Sequence, residues 1–305
     1  MLSFDIRNSI EEIFAQMGSS VRIKRDVPLK DLTTIRVGGP VAYVVFAKDR
    51  ESLIRLTSML SSKSIPWRVI GKGSNILGQE KGFEGVLVLL EGEFIDYKAA
   101  KETLTAGAAI SIPQLMAICL KEGLGGLEFL IGIPGTVGGA VKMNAGAFSM
   151  EIKDCLLSVE CISPDGFEIL SSSSIRFGYR ESSISDSNII ISATFKITKT
   201  PVQEIRAKMK QYMERRRKTQ PIAIGSMGSV FKNPPGDYAG RLIEQAGLKG
   251  TRIGGAYVSE KHANFILNDG TATSNDVWQL IGLVKSRVKE MTNITLDLEV
   301  HTLEA

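Results

Sequence analysis

Two glycine-dense segments carry the first chemical signal in this chain. Gly71-Lys-Gly-Ser-Asn75 follows directly on a short expected strand, Trp67 to Ile70, and Gly132-Ile-Pro-Gly-Thr-Val-Gly-Gly139 leads into Asn144-Ala-Gly-Ala147. Glycine tolerates positive φ and brings no side chain, so successive N–H groups can point into one concavity that suits a pyrophosphate. The same residues would also serve as a pair of tight turns. Neither segment is a Walker A loop, and neither has the Rossmann G-x-G-x-x-G spacing. Two such loops without either fingerprint point to a different mode of dinucleotide binding.

Composition narrows the remaining chemistry. Only two histidines occur, His262 and His301. That scarcity argues against His-cluster metal sites and against a Ser-His or Cys-His nucleophile pair, so no metal is expected. The cysteines, Cys119, Cys155 and Cys161, are odd in number and form no C-x-x-C, as in a reduced cytosolic protein. A net charge of +4 over 305 residues suits an anionic ligand but is too mild to argue for nucleic acid. The opening residues carry Asp5, Glu11 and Glu12 without the apolar core of a signal peptide. No apolar run approaches the roughly 18 residues of a membrane-spanning helix. The expectation is a soluble cytoplasmic protein acting as a monomer.

The elements that must hold the loops can be read from apolar periodicity. Helices are expected over 5–17, 50–64, 112–121, 202–217, 238–246 and 275–291, the last started by Asn275 or Asp276 and ended by Asn293. Strands are expected at 41–47, 67–70, 86–90, 103–107, 153–162, 186–198 and 294–302. In the final strand Leu296, Leu298 and Val300 face one way, and Thr295, Asp297, Glu299 and His301 the other. Residues 123–147 have no clean period. The glycine-rich loops lie mostly before residue 200 and both histidines after it, which places a domain boundary there: 1–200 and 201–305. Helices and strands are mixed but do not alternate in regular βαβ order, so the fold class is α+β rather than a doubly wound sheet.

Several blocks together carry a resemblance. Thr34-Ile-Arg-Val-Gly-Gly-Pro40, GKGSN at 71–75, GIPGTVGGAVKMNAGA at 132–147, FGYRES at 177–182, GSVFKNPPG at 228–236 and Leu296-Asp-Leu-Glu-Val300 occur in this order. The chain so resembles the UDP-N-acetylenolpyruvoylglucosamine reductases over roughly residues 25 to 303. The 132–147 block and GSVFKNP are specific, whereas RVGGP and GKGSN alone indicate only the wider flavoprotein superfamily. The resemblance implies an FAD-binding domain of the vanillyl-alcohol-oxidase-like type, in two α+β subdomains, followed by a smaller α+β substrate-binding domain. The short spacings from Arg180 to Ser229 and from Ser229 to Glu299 match the shorter subtype, which lacks the insertion that closes over substrate. One departure is Lys142, where the family commonly has an aromatic, at a position expected to be peripheral.

The implied reaction reduces an enolpyruvyl ether on a UDP-amino sugar to a lactyl ether, with NADPH as hydride donor, in peptidoglycan precursor synthesis and hence in cell shape and division. Hydride delivery to C3 builds negative charge on C2 and its carboxylate, which calls for a cation, a hydrogen-bonding acid and a proton. The resemblance assigns the proton to Ser229, the carboxylate partner to Arg180 and the acid to Glu299. A planar guanidinium suits a carboxylate, and a glutamate in a dry pocket would have a raised pKa and donate as a neutral acid. By residue type alone, Ser229 reads as a turn residue, Arg180 as a surface ion pair and Glu299 as a solvated strand carboxylate. Cofactor contacts are implied at Gly71, Lys72, Gly73, Ser74, Asn75, Ile133, Pro134, Gly135, Thr136, Gly138, Gly139, Asn144, Ala145, Gly146 and Arg216. Substrate contacts are implied at Tyr179, Lys232, Asn233 and His262. Residues 1–200 contain no histidine, so FAD is expected to be held without a covalent bond. The competing readings are a flavin-dependent oxidase of the same superfamily and a non-catalytic nucleotide-binding module.

Overall fold

The computed structural model describes residues 4–222 and 225–303. The chain divides into two compact units, each assembled from separated stretches. The first comprises Met1–Lys24, Val44–Gly71 and Gly85–Arg215, and the second Arg25–Tyr43, Lys72–Glu84 and Arg216–Ala305. The sequence suggests a single cut near residue 200, whereas the chain passes between the units several times. Residues 25–43 and 72–84, expected with the first domain, fold with the second unit. Their contacts are long-range, and composition carries no trace of them.

In the first unit, the helix Phe4–Met17 buries Ile10, Ile13, Phe14 and Met17 and packs against the helix Arg50–Ser62, whose Leu53, Leu56 and Leu60 are buried. Asp49 starts the latter helix, its carboxylate accepting from the Ser52 amide at 2.7 Å. The main sheet is antiparallel, in the order Gly166–Ser171, Leu156–Ser163, Ile189–Lys196, Thr103–Gly107, Tyr97–Ala99. The helix Ile112–Glu122 begins in a Ser111–Gln114 capping box and stops at Gly123, whose φ of 62° suits glycine. Leu104, Leu115, Phe129, Val141, Val159 and Phe195 are central to its core. The expected 153–162 strand starts later, at Leu156, after a turn at Ile152–Asp154. The aperiodic 123–147 stretch includes a short helix, Val137–Lys142, lying against the strand Ile189–Lys196.

In the second unit, the strands Gly225–Ser229, Phe265–Asn268, Ala256–Val258 and Arg252–Ile253 form an antiparallel sheet in that order. The helix Ser274–Thr292 buries Val277, Leu280, Ile281, Val284 and Val288 against the same core as Ile35, Val37 and Leu77. Its cap is Thr273, not Asn275. The Thr273 hydroxyl accepts from the Asp276 amide at 3.1 Å, and the Asp276 carboxylate accepts from the Thr273 amide at 2.9 Å. Asn293 ends it with φ 58°. The long final strand is replaced by fragments. Leu298 bridges to Phe231, and His301–Leu303 then pairs in parallel with Ile76–Gly78. Two partners in succession interrupt what apolar alternation made look continuous. No helix among the described residues is long and apolar enough to cross a membrane.

Candidate active site

In the second unit, Ser229 stands at the end of its strand, just after an irregularity in the pairing between Ser226 and Ser229. Gly228 between them has φ 78°, a conformation that favours glycine. Beyond Ser229 the backbone is clamped on two sides. The Val230 amide donates to the Asn264 carbonyl at 2.9 Å, and the buried Asn264 side chain both accepts from the Phe231 amide (2.9 Å) and donates to the Phe231 carbonyl (2.8 Å). On the other side the Glu299 amide donates to the Val230 carbonyl at 2.9 Å, and the Lys232 amide to the Asp297 carbonyl at 2.8 Å. Val230 and Phe231 are buried while Ser229 and Glu299 are half-buried. The proposed proton donor and acid therefore sit on paired, rigid backbone.

Two sequence blocks from the front of the chain brace this arrangement. The Thr34 hydroxyl donates to the Ser226 carbonyl at 2.6 Å. The Asn75 side-chain amide donates to the Glu299 carbonyl at 3.0 Å, and the His301 amide donates to the Asn75 carbonyl at 3.0 Å. Gly73 is buried against Leu32 and Thr33, and its carbonyl accepts from the Thr34 amide at 3.2 Å, while Lys72 is exposed.

Asn233 and His262 also serve local structure. The Asn233 side-chain oxygen accepts from the Ala239 amide at 3.0 Å, at the start of the helix Ala239–Gln245. His262 Nδ1 accepts from the Asn264 amide at 3.3 Å, and its ring meets Phe265 edge-on at 4.9 Å. Burial pushes the His262 pKa below its ordinary value, which favours the neutral ring. Arg216 donates to the Gln220 side chain at 3.0 Å.

In the first unit, Arg180 occupies the second loop position of a hairpin between Phe177–Gly178 and Glu181–Ser182. Its φ is 62°, a left-handed conformation that costs a non-glycine residue roughly 1 kcal/mol. Its guanidinium lies 4.9 Å from the Tyr179 ring and donates to the Gly146 carbonyl at 3.1 Å. Asn144 ties this hairpin to the glycine block. Its amide donates to the Gly178 carbonyl (3.0 Å) and to the Glu151 carboxylate (3.1 Å), and its oxygen accepts from the Lys153 amide (3.1 Å). Asn144 is fully buried, so its side chain works within the chain. Lys142 is not idle either. It bonds the Ile184 carbonyl and pairs with Asp186 at 2.7 Å, fastening the segment after the hairpin.

The two glycine segments meet in this unit at Gly71 and Thr136. A Cβ on Gly71 would stand 2.6 Å from the Thr136 hydroxyl, so only glycine allows the approach. Thr136 caps the helix Val137–Lys142, its hydroxyl accepting from the Gly139 amide at 3.4 Å. Thr136, Val137 and Ala140 are buried, whereas Gly132, Pro134 and Gly139 are exposed and Ile133, Gly135 and Gly138 half-buried. A strip of glycine- and proline-rich backbone is thus presented outward from a packed base, while Ala145 is buried and Gly146 half-buried. The amides of Ile133, Val137, Gly138 and Gly139 already donate within the chain, so any contact with a dinucleotide pyrophosphate falls to the other backbone groups of the strip. The sequence carries no signal for Asn264 and Glu151, whose partners Phe231 and Arg180 lie tens of residues away along the chain.

Known proteins resemble this chain over most of its length. Residues 220–303 match the family model of the UDP-N-acetylenolpyruvoylglucosamine reductase C-terminal domain, and residues 41–170 match that of an FAD binding domain. The reductase 2 of that name from Symbiobacterium thermophilum is 42% identical over 92% of this chain and 91% of its own length. The one from Streptococcus pneumoniae is 39% identical over 97% of this chain and 98% of its own. The crystal structure of the enzyme from Thermus caldophilus superposes with a TM-score of 0.81 at 39% identity, covering 92% of this chain and 99% of that one.

Proposed function

Because this chain belongs to the UDP-N-acetylenolpyruvoylglucosamine reductase family and is an oxidoreductase flavoenzyme, we propose that it reduces UDP-N-acetylglucosamine enolpyruvate to UDP-N-acetylmuramate at the expense of NADPH. The reading places the protein in peptidoglycan precursor synthesis, in the cytoplasm. When bound, FAD would supply hydride chemistry at the enolpyruvyl C3. The glycine strip at 132–139, with Gly71 against it, holds the pyrophosphate. With no histidine in residues 1–200, the cofactor is held non-covalently.

The remaining work falls to three side chains. Arg180 pairs with the substrate carboxylate as negative charge grows there, a task for a group that stays protonated and binds carboxylates bidentately. Ser229 gives its hydroxyl proton to C2, which a weak acid can do only for a carbon as basic as this one. Glu299, in its neutral form, donates a hydrogen bond to the developing charge. Tyr179 and Lys232 contact the substrate. The observation that supports this assignment most directly is the 2.9 Å hydrogen bond from the Glu299 amide to the carbonyl of Val230, the residue that follows the proton donor Ser229.

The test is anaerobic. The purified protein should be yellow, bleach on addition of NADPH, and regain its colour on addition of the UDP-enolpyruvyl sugar far faster than on admission of oxygen. Rapid reoxidation by oxygen with none by the sugar would favour an oxidase instead.

A further inference from the structure

Arg180 has a neighbour for which the reaction as read above has no use. Glu151 Oε1 lies 3.8 Å from Arg180 Nη1, and both side chains are only 22% exposed. That separation is an ion-pair distance but too long for a hydrogen bond. Glu151 therefore attracts the guanidinium without forming the two-pronged bond that an incoming carboxylate would make. Its other oxygen is fixed, bonded to the Asn144 amide at 3.1 Å and to Lys153 Nζ at 2.7 Å. The stem lies close against Gly146, where a Cβ would stand 2.7 Å from Glu151 Cγ. The carbonyl of that same Gly146 takes the Arg180 Nη2 bond at 3.1 Å. Buried Asn144 joins the carboxylate to the base of the hairpin through Gly178. One short segment thus aims the guanidinium by a carbonyl on one nitrogen and by a charge near the other.

We propose that Glu151 is a positioning residue for Arg180, holding the guanidinium ready for the substrate's carboxylate. The proposal rests on the reading of Arg180 as the carboxylate partner. A long ion pair holds a strained arginine in place yet yields when a better-fitting carboxylate arrives.

The experiment uses the FAD-loaded full chain and Glu151→Gln, which removes the charge and keeps the shape. Calorimetry compares UDP-N-acetylmuramate, which carries the lactyl carboxylate, with UDP-N-acetylglucosamine, which lacks it. Stopped flow follows the two half-reactions. The variant should bind UDP-N-acetylmuramate about 10-fold more weakly and UDP-N-acetylglucosamine unchanged, as for other groups that orient a ligand-binding side chain. Reoxidation by the enolpyruvyl sugar should slow by roughly 10–100-fold, with reduction by NADPH unaltered. Glu151→Asp, which keeps the charge, should restore part of both losses and carries the same comparison if the Gln variant does not fold. Equal weakening for both sugars, or equal slowing of both half-reactions, would show Glu151 to be merely structural and overturn the proposal. So would a Gln variant that behaves as wild type. Wild-type protein that does not distinguish the two sugars would overturn the reading of Arg180 itself, and the role of Glu151 with it.

Discussion

The side-chain amide of Asn75 donates to the backbone carbonyl of Glu299 at 3.0 Å, and the Asn75 carbonyl accepts from the His301 amide at 3.0 Å. The asparagine of the GKGSN loop thus brackets the residue assigned as the acid. Asn75→Ala leaves the Glu299 carbonyl without this donor. The variant should fold and lose about 1 kcal/mol of stability, the usual net worth of one such bond, measured as a lowered urea midpoint at unchanged slope. Unchanged stability would mean that the bond carries no weight in the folded state.

Ser229→Ala separates the two halves of the catalytic cycle. Proton donation is worth roughly 10²–10⁴-fold, or about 3–5 kcal/mol of barrier. Flavin reduction by NADPH should stay near normal while reoxidation by the enolpyruvyl sugar slows by at least about 10²-fold. Equal loss in both would remove Ser229 from the proton-donor role.

The three cysteines should be inert in the native protein. Cys119, Cys155 and Cys161 are all buried, and burial pushes each thiol up to about 12, aided at Cys119 by Glu128, at Cys155 by Asp154 and at Cys161 by Glu168. Thiolate is the reactive form, so a thiol reagent at pH 8 should label none until denaturant is added, and then all three. Rapid labelling of the folded protein would show that these thiols are reached without unfolding.

His262 makes stability pH-dependent on the acid side. Burial lowers its pKa in the folded state, whereas the unfolded ring titrates near about 6.5. Below that value the unfolded chain takes up a proton that the folded chain resists, so stability falls as pH drops through this range and is unaffected by the group above it. His262→Gln should flatten the decline in melting temperature between pH 7.5 and 5.5. An identical decline in wild type and variant would assign the effect elsewhere.

Elements held by local rules were legible in the sequence, and residues held by distant partners were not. The helix Ser274–Thr292 was legible from five apolar residues at helical spacing, and Asn293 from its place after the last of them. Its cap is not legible, because Thr273, Asn275 and Asp276 are all competent side chains, and only geometry selects Thr273 among them. Asn144 is read from its glycine block as a cofactor contact, yet its amide is spent on Gly178 and Glu151. Nothing periodic links those three positions. The left-handed backbone of Arg180 is equally silent in sequence, since arginine does not signal positive φ as glycine does.

The interleaving of the second unit has a consequence for how the protein is made. Ile35, Val37 and Leu77 belong to the same core as Leu280 and Val300, and the strand Ile76–Gly78 waits for His301–Leu303 as its parallel partner. During synthesis the early segments leave the ribosome long before the residues that cover them. Ile76–Gly78 must stay without its strand partner, and Ile35, Val37 and Leu77 uncovered, until the final stretch of chain emerges, a period in which their apolar surface is open to chaperones and to aggregation. A gene cut near codon 200 would therefore not yield two independent modules. It would leave the later piece without part of its core and the earlier piece carrying the strand Ile76–Gly78 with nothing to pair.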